Sequence, residues 1–501
     1  MSMSSRHFAP STAPRSLSLD APRAKNLALA LLAVTQFVLV IDGSIVNVAL
    51  PSIGSHLQIS RVDLSWVINA YVLTFGGFLL LGGRLADLLG RRRMFMLGLV
   101  VFSLASLAGG LAQSEAVLLV ARALQGVGAA LVSPAALSIL TSTFSDGAER
   151  NRALGIWGAV LGAGGSAGVL LGGVLTSGLS WRWVLFVNVP IGLAAAAIAP
   201  RLLLESRAEG DAKGFDLPGA VTVTAGLSLL VYAVVDAVNA GWTSSTTVLR
   251  LTGAVVLLAA FVAIEIRQRH PLVPFSIFRL RTLRAANIVN LMLGLSLLSM
   301  FYFITLYLQD VLHYSPIKTG ISYLPLGAGL FISAGLASGL VTRFGYKLIL
   351  MGGLFTTAVA LAWFSQASAS GSFLADVLGP STLAGIGFGL AFVPVTIAAM
   401  AGTKPHEAGL ASGLINMSQQ IGGALGVAVL ATIANSRTQK LLDGGGHRTA
   451  VALTQGYDRA FLVSAGFALT AALFAGVLIT TRDSRKHSTE ARTATATPAV
   501  S

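Results

Sequence analysis

The sequence predicts an all-α membrane protein in which fourteen transmembrane helices build two bundles. Three observations carry this expectation. Charged residues make up 11% of the chain and hydrophobic residues 54%, whereas a soluble domain carries about 25% charged residues. The apolar residues gather in runs of about 20, the length that crosses a bilayer as a helix. Most of the 34 Lys and Arg residues fall in alternate segments between these runs, as expected when basic loops stay on the cytoplasmic side.

Taken in order, residues 1–26 are rich in Ser, Pro and Ala and read as a disordered cytoplasmic tail. The first apolar run, 27–50, continues through Asp42 and Asn47 without a small-residue cleavage site, so it reads as an uncleaved helix rather than a leader. Further helices are expected at 65–85, 94–112, 115–138, 153–176 and 183–204, which close an N-terminal six-helix bundle over 27–204. The runs 217–238 and 248–266 fall between two similar halves and read as an inserted pair within 205–270. The runs 284–309, 319–341, 347–365, 373–397, 409–433 and 460–481 complete a C-terminal bundle over 271–481. Residues 482–501 are polar and read as a second disordered tail. An even number of crossings puts both termini on one side, and the clustering of basic residues makes that side cytoplasmic.

An internal repeat supports the division into halves. Leu124-Gln125-Gly126-Val127-Gly128 recurs as Leu383-Ala384-Gly385-Ile386-Gly387, and Leu89-Gly90-Arg91-Arg92 recurs in outline as Phe344-Gly345-Tyr346-Lys347. Duplicated halves around a midplane site are a hallmark of secondary transporters.

Composition excludes several classes. There are no cysteines, hence no disulfide, thiolate metal site or cysteine nucleophile. No phosphate-binding GxxxxGK[ST] loop and no Ser/His/Asp set occurs, and no histidine lies mid-run, so neither an enzyme, a metal site nor a bound cofactor is expected. A net charge of +14 suggests nucleic acid in a soluble protein, but the placement of these charges in short loops points to membrane topology instead.

The chemistry is concentrated in a few places. Asp42 lies inside an apolar helix, where a carboxylate is costly and functional by default. Desolvation disfavours its charged form, which suits it to taking up and releasing protons. Arg122, in the fourth run, cannot shed its charge and needs a partner. Both residues sit roughly 10–12 Å below the outer end of their helices, so they are expected to meet, as a proton-coupling pair or as a fixed structural ion pair. Gln125 follows Arg122 by one turn on the same face. The loop after the second run carries Gly83, Asp87, Gly90, Arg91 and Arg92, a tight turn with an acid able to latch onto an arginine or a neighbouring helix N-terminus. In the fifth run Gly164, Gly168 and Gly172, with Gly173, give a small-residue face for close helix packing. Cavity-lining candidates are Trp66, Tyr71, Gln125, Asp236, Tyr302, Asn416 and Gln420, since aromatics stack on flat or cationic drugs and polar groups orient them.

These motifs resemble those of the major facilitator superfamily. The loop from Gly83 to Arg93 matches its signature between helices 2 and 3, with Leu88 where a basic residue is usual. The stretch Ile41-Asp42-Gly43-Ser44-Ile45-Val46-Asn47 resembles the first-helix signature of its fourteen-helix drug–proton antiporters. Arg122 with Gln125-Gly126-Val127-Gly128 resembles the fourth-helix signature, and Gly158 to Gly173 the antiporter motif, with Val169 replacing the usual proline. Trp181-Arg182-Trp183, Phe186, Asn188, Pro190 and Gly192 extend the likeness into helix 6. The resemblance implies a two-bundle alternating-access transporter, with Asp42 and Arg122 in proton coupling and the glycine motif marking export. The function expected is proton-driven export of small hydrophobic or cationic compounds from the cytoplasmic membrane by a monomer, with protons, the substrate and lipid as its partners. A proton-coupled carrier of one metabolite and a non-transporting membrane sensor are the alternatives.

Overall fold

The computed structural model describes residues 22–481 and Ser484, apart from 61–62, 145–147, 207–215, 269–270, 272, 274, 402–407 and 445–448. The two tails expected to be disordered lie largely outside the described residues.

The described chain is helical throughout. Sixteen α-helices follow in order: α1 (Pro22–Leu57), α2 (Trp66–Leu89), α3 (Arg91–Gly110), α4 (Glu115–Thr143), α5 (Ala148–Gly178), α6 (Trp183–Phe186), α7 (Asn188–Leu202), α8 (Leu217–Ala240), α9 (Ser245–Arg267), α10 (Arg281–Leu306), α11 (Pro316–Ser322), α12 (Leu324–Phe344), α13 (Tyr346–Phe364), α14 (Leu378–Met400), α15 (Ala408–Asp443) and α16 (Thr449–Leu478). Among the described residues, twelve helical stretches are long and apolar enough to cross a membrane. The expected count of fourteen also included α5 and α8. Their apolar described segments are shorter, Ala167–Gly178 and Pro218–Val234. The chain is a multi-pass membrane protein.

Several helices outrun the apolar runs that announced them. α15 continues to Asp443 and α16 begins at Thr449. The polar extensions persist because they pack on each other: Thr438 Oγ1 donates to the Ala452 carbonyl at 3.2 Å. The run 183–204 is divided at Val187 into α6 and α7, with Val187 itself at helical φ −59° and ψ −28°.

α1–α7 form one bundle and α10–α16 the other, with α8 and α9 paired beside them. The repeat read from the sequence has a structural counterpart. Gly126 lies against the α2 backbone, where a Cβ would sit 2.9 Å from Phe75 N, and Gly128 against α3, 2.7 Å from Phe102 N. In the second half Gly385 lies against α12, 3.0 Å from Leu330 N, and Gly387 against α13, 2.6 Å from Thr357 N. The same pair of glycines thus lets a central helix approach the same two neighbours in each bundle, without a Cβ to hold the backbones apart. The packing is duplicated but the charges are not: Arg122 and Gln125 of α4 have Ser381 and Ala384 as their counterparts in α14.

Two turns with left-handed glycines repeat as well. Gly90, at φ +114°, joins α2 to α3, and Gly345, at φ +82°, joins α12 to α13. Such φ values strain any residue with a Cβ. Each turn is clasped by the segment leaving the last helix of its own bundle. The Arg92 amide donates to Glu205 Oε1 at 3.1 Å, and the Lys347 amide donates to Ser484 Oγ at 3.0 Å.

The start of α1 and the end of α16 define a terminal face, and the opposite end a distal face. The bundles meet toward the distal face. Gln309 Nε2 donates to the Val48 carbonyl at 2.8 Å, and the Ile317 amide donates to Ser177 Oγ at 3.0 Å. Gly173 packs on the backbone of Pro316, and Gly320 on that of Val169 and Leu170. One turn nearer the terminal face, a Cβ on Gly165 would meet nothing within 4 Å, and the same holds for Gly335 and Gly339 of α12. The seam is therefore shut distally along α5 and α11, while α2 and α15 meet across it at Gly76 and Gly413. α8 lies along the α2–α15 side of this seam, with Val223 and Leu227 packed on Ile421 and Thr224 Oγ1 donating to the Gly77 carbonyl at 2.8 Å.

Candidate transport site

α1 can pass through the centre because its neighbours leave room for it. Gly164, Gly168 and Gly172 of α5 face Val40, Ser44 with Ile41, and Ile45. A Cβ on Gly172 would lie 2.5 Å from the Ile45 carbonyl oxygen, so small residues are required along this contact. Val169, in the place of the usual proline, is buried, and its carbonyl lies against Gly320. Gly173 makes the contact to the other bundle.

The close packing fixes α1 with Asp42 turned into the N-terminal bundle. Asp42 is 0% exposed and Arg122 1%. Arg122 Nη1 donates to Asp42 Oδ2 at 2.7 Å and to Gln125 Oε1 at 2.9 Å. Its Nε donates to the Val67 carbonyl at 3.0 Å, and its guanidinium stacks on the Tyr71 ring, 4.5 Å from the centroid. Gln125 Nε2 donates to Asp42 Oδ1 at 3.2 Å and to Ser106 Oγ at 2.6 Å. Asn188 Nδ2 donates to the same Oδ1 at 2.6 Å. A buried ion pair offsets its desolvation when its remaining bonding capacity is used in this way. Asp42, Arg122, Gln125 and Tyr71 are brought together. One residue on, Gly43 faces open space, with nothing within 4 Å of where its Cβ would be.

The loop candidates come together within their own turn. Asp87 pairs with Arg91 of the same turn, at 3.1 Å. Arg92 Nη1 donates to the Leu203 carbonyl at 3.1 Å, and Glu205 lies 3.7 Å from both Arg92 and Arg93. Gly83 rests on Pro134 of α4.

The remaining cavity candidates are dispersed. Tyr302 is buried in the C-terminal bundle, lining a small pocket with Leu64, Asn435 and Tyr457. Trp66 lies against Tyr232 of α8, ring centroids 5.7 Å apart. Asp236 is paired with Arg250 of α9, whose guanidinium stacks on Tyr232. Its charge is thus matched within the α8–α9 pair. Asn416 is exposed on α15, and Gln420 packs at the seam against Gly76 of α2.

Sequence reasoning gave no role to Asn188, Glu205 and Arg250. Asn188 stood inside a quoted motif without a partner. Glu205 carried a signal in hindsight: it is one of 20 acids in the whole chain and directly follows the sixth membrane stretch. Among the described residues, no group of three metal-ligating side chains comes together.

Two helical bundles joined distally, with a paired charge buried in one of them, are the architecture of a membrane transporter. The chain belongs to the Major Facilitator Superfamily, whose family model matches residues 32–427. It is 40% identical over 480 residues to the puromycin resistance protein of Streptomyces alboniger, covering 94% of each chain. It is also 40% identical over 454 residues to the cephamycin export protein of Amycolatopsis lactamdurans, covering 90% of this chain and 92% of that one. Among solved structures, it resembles a bacterial homologue of the human lysosomal transporter Spinster in an inward-facing, unoccupied conformation, with a TM-score of 0.67 at 19% identity over 93% of this chain and 98% of that one. That likeness speaks for the fold alone.

Proposed function

We infer that this protein exports an antibiotic or a related drug in exchange for protons, by alternating access. The reading is supported by a buried carboxylate paired with an arginine on α1 and α4, in a chain similar along most of its length to named antibiotic resistance and export proteins. On this reading the chain makes fourteen crossings, with α5 and α8 counted, and the distribution of basic residues argues for cytoplasmic termini. The observed shape, closed distally, is then the inward-facing state that takes cargo from the cytoplasm or inner leaflet. In the outward-facing state the cargo leaves and Asp42 takes a proton from outside; return to the inward state releases it inside. Each inward proton supplies about 2.3 kcal/mol per 100 mV of membrane potential, plus the pH difference. Arg122 competes with the proton for the Asp42 carboxylate, so its approach or withdrawal sets when the proton is held. No catalytic step and no cofactor is needed, and a single chain suffices.

The test is efflux of a panel of antibiotics, including puromycin, from energised cells carrying wild type or Asp42→Asn. Efflux abolished by a protonophore and missing in the variant, with equal protein in the membrane, supports the reading. Efflux that persists in the variant and ignores the protonophore overturns it.

A further inference from the structure

Asp42 in its ionised form holds three donors, two of them on one oxygen. As a carboxylate it accepts from Arg122 Nη1 on Oδ2, and from Gln125 Nε2 and Asn188 Nδ2 on Oδ1. With the proton on Oδ1, that oxygen becomes a donor that needs an acceptor of its own and keeps room for only one of the two amides now donating to it.

The three donors differ in what else they hold. Arg122 retains the Val67 carbonyl and Gln125 Oε1. Gln125 Nε2 retains Ser106 Oγ at 2.6 Å. Asn188 makes no other hydrogen bond among the described residues; its 2.6 Å bond to Asp42 is all that its amide has. Asn188 is 1% exposed, so water does not readily replace that partner, and a buried polar group left unpaired is costly. It is also the first residue of α7, immediately after the division at Val187. An amide carries a donor on one side and an acceptor on the other. Turned half a revolution about its last side-chain bond, Asn188 presents Oδ1 to the new O–H of Asp42.

We propose that Asn188 is the positioning residue that reads the protonation of Asp42: it donates to the carboxylate, reverses to accept from the acid, and passes the change to the α6–α7 junction. The proposal rests on the reading of Asp42 as the proton carrier. The proton balance is simple, since Asp42 gains and loses one proton while Asn188 only changes direction. The other charged and titratable groups facing Asp42 are Arg122 of α4 and Tyr71 of α2; α7 brings only the amide.

The experiment is infrared difference spectroscopy of the full chain in proteoliposomes, titrated with acid. A carboxylic-acid carbonyl band that vanishes in Asp42→Asn belongs to Asp42. In Asn188→Ala that band is expected at higher wavenumber, because its hydrogen-bond partner is gone. Its titration midpoint is expected to move upward, because the carboxylate has lost a donor. Asn188→Ser, whose hydroxyl both donates and accepts, should restore part of the wild-type signal, and it carries the test if the alanine variant does not fold. An Asp42 band unchanged in frequency and midpoint in both variants overturns the role of Asn188. A spectrum with no band lost in Asp42→Asn overturns the proton-carrier reading itself, and is a separate result.

Discussion

Gly173 of α5 lies against the backbone of Pro316 of α11, so closely that a Cβ on it would stand 2.5 Å from the Pro316 carbonyl oxygen. The distal closure of the two bundles depends on that missing atom. A Gly173→Val substitution should hold the bundles apart and favour the distally open state. The chain has no cysteines of its own, so a Ser177→Cys, Ile317→Cys pair reports this contact alone. Its disulfide yield should fall several-fold when Gly173 is replaced; an unchanged yield would show that the contact is not a determinant of closure.

The Asp42–Arg122 pair should respond unequally to loss of either member. A stranded Asp42 can neutralise itself by binding a proton, whereas a stranded Arg122 cannot shed its charge. Breaking a buried pair costs about 3–5 kcal/mol when the survivor stays charged. Asp42→Leu should therefore lower the thermal unfolding midpoint of the purified protein more than Arg122→Leu does. Equal losses, or the reverse order, would contradict the asymmetry.

The clasp at the Gly90 turn should depend more on a hydrogen-bond acceptor than on charge. Glu205 and Arg92 are about a quarter exposed and Arg93 is 64% exposed, and ion pairs open to solvent contribute about 0–1 kcal/mol. The Arg92 amide, however, loses its acceptor in Glu205→Ala. That variant is expected to lose about 1–2 kcal/mol, and Glu205→Gln less than half as much, by thermal unfolding in detergent. Identical losses would assign the clasp to the charge.

Asp236 should matter little to the choice between charged and neutral cargo, because Arg250 already satisfies it. Asp236→Asn should leave efflux of a permanent cation such as tetraphenylphosphonium within about twofold of wild type, a change of less than 0.5 kcal/mol. A selective loss of cation efflux would restore Asp236 to the cargo pathway.

Thr224 anchors the inserted pair to the seam through the Gly77 carbonyl. Thr224→Val preserves shape and removes this hydrogen bond, worth about 1 kcal/mol. A small fall in the unfolding midpoint is expected. An unchanged midpoint would mean that α8 is held by its apolar contacts with α15 alone.

Much of this was legible before any coordinates because lipid imposes a strict grammar. Apolar length marks the helices, and the glycine pairs 126/128 and 385/387 mark the repeat, since only a missing Cβ allows such approach. The meeting of Asp42 with Arg122 follows from equal depth in two helices. The third donor to Asp42, Asn188, was not legible: an amide at a helix start has no cost that betrays it, and its bond spans 146 positions of sequence. The pairing of Asp236 was not legible for a related reason: its partner sits fourteen residues on, across the α8–α9 hairpin, and hydropathy does not register which two charges meet when a hairpin closes. The division at Val187 and the polar extension of α15 and α16 were likewise beyond a reading based on apolar runs, because tertiary packing decides both.

Asp42 points into its own bundle while its neighbour Gly43 opens to free space. The consequence is a division of labour within a single turn of helix. If Asp42 carries the driving proton, the machinery that handles that ion is walled off from the surface that meets the traffic, and that surface can be altered by ordinary substitution with the engine left untouched.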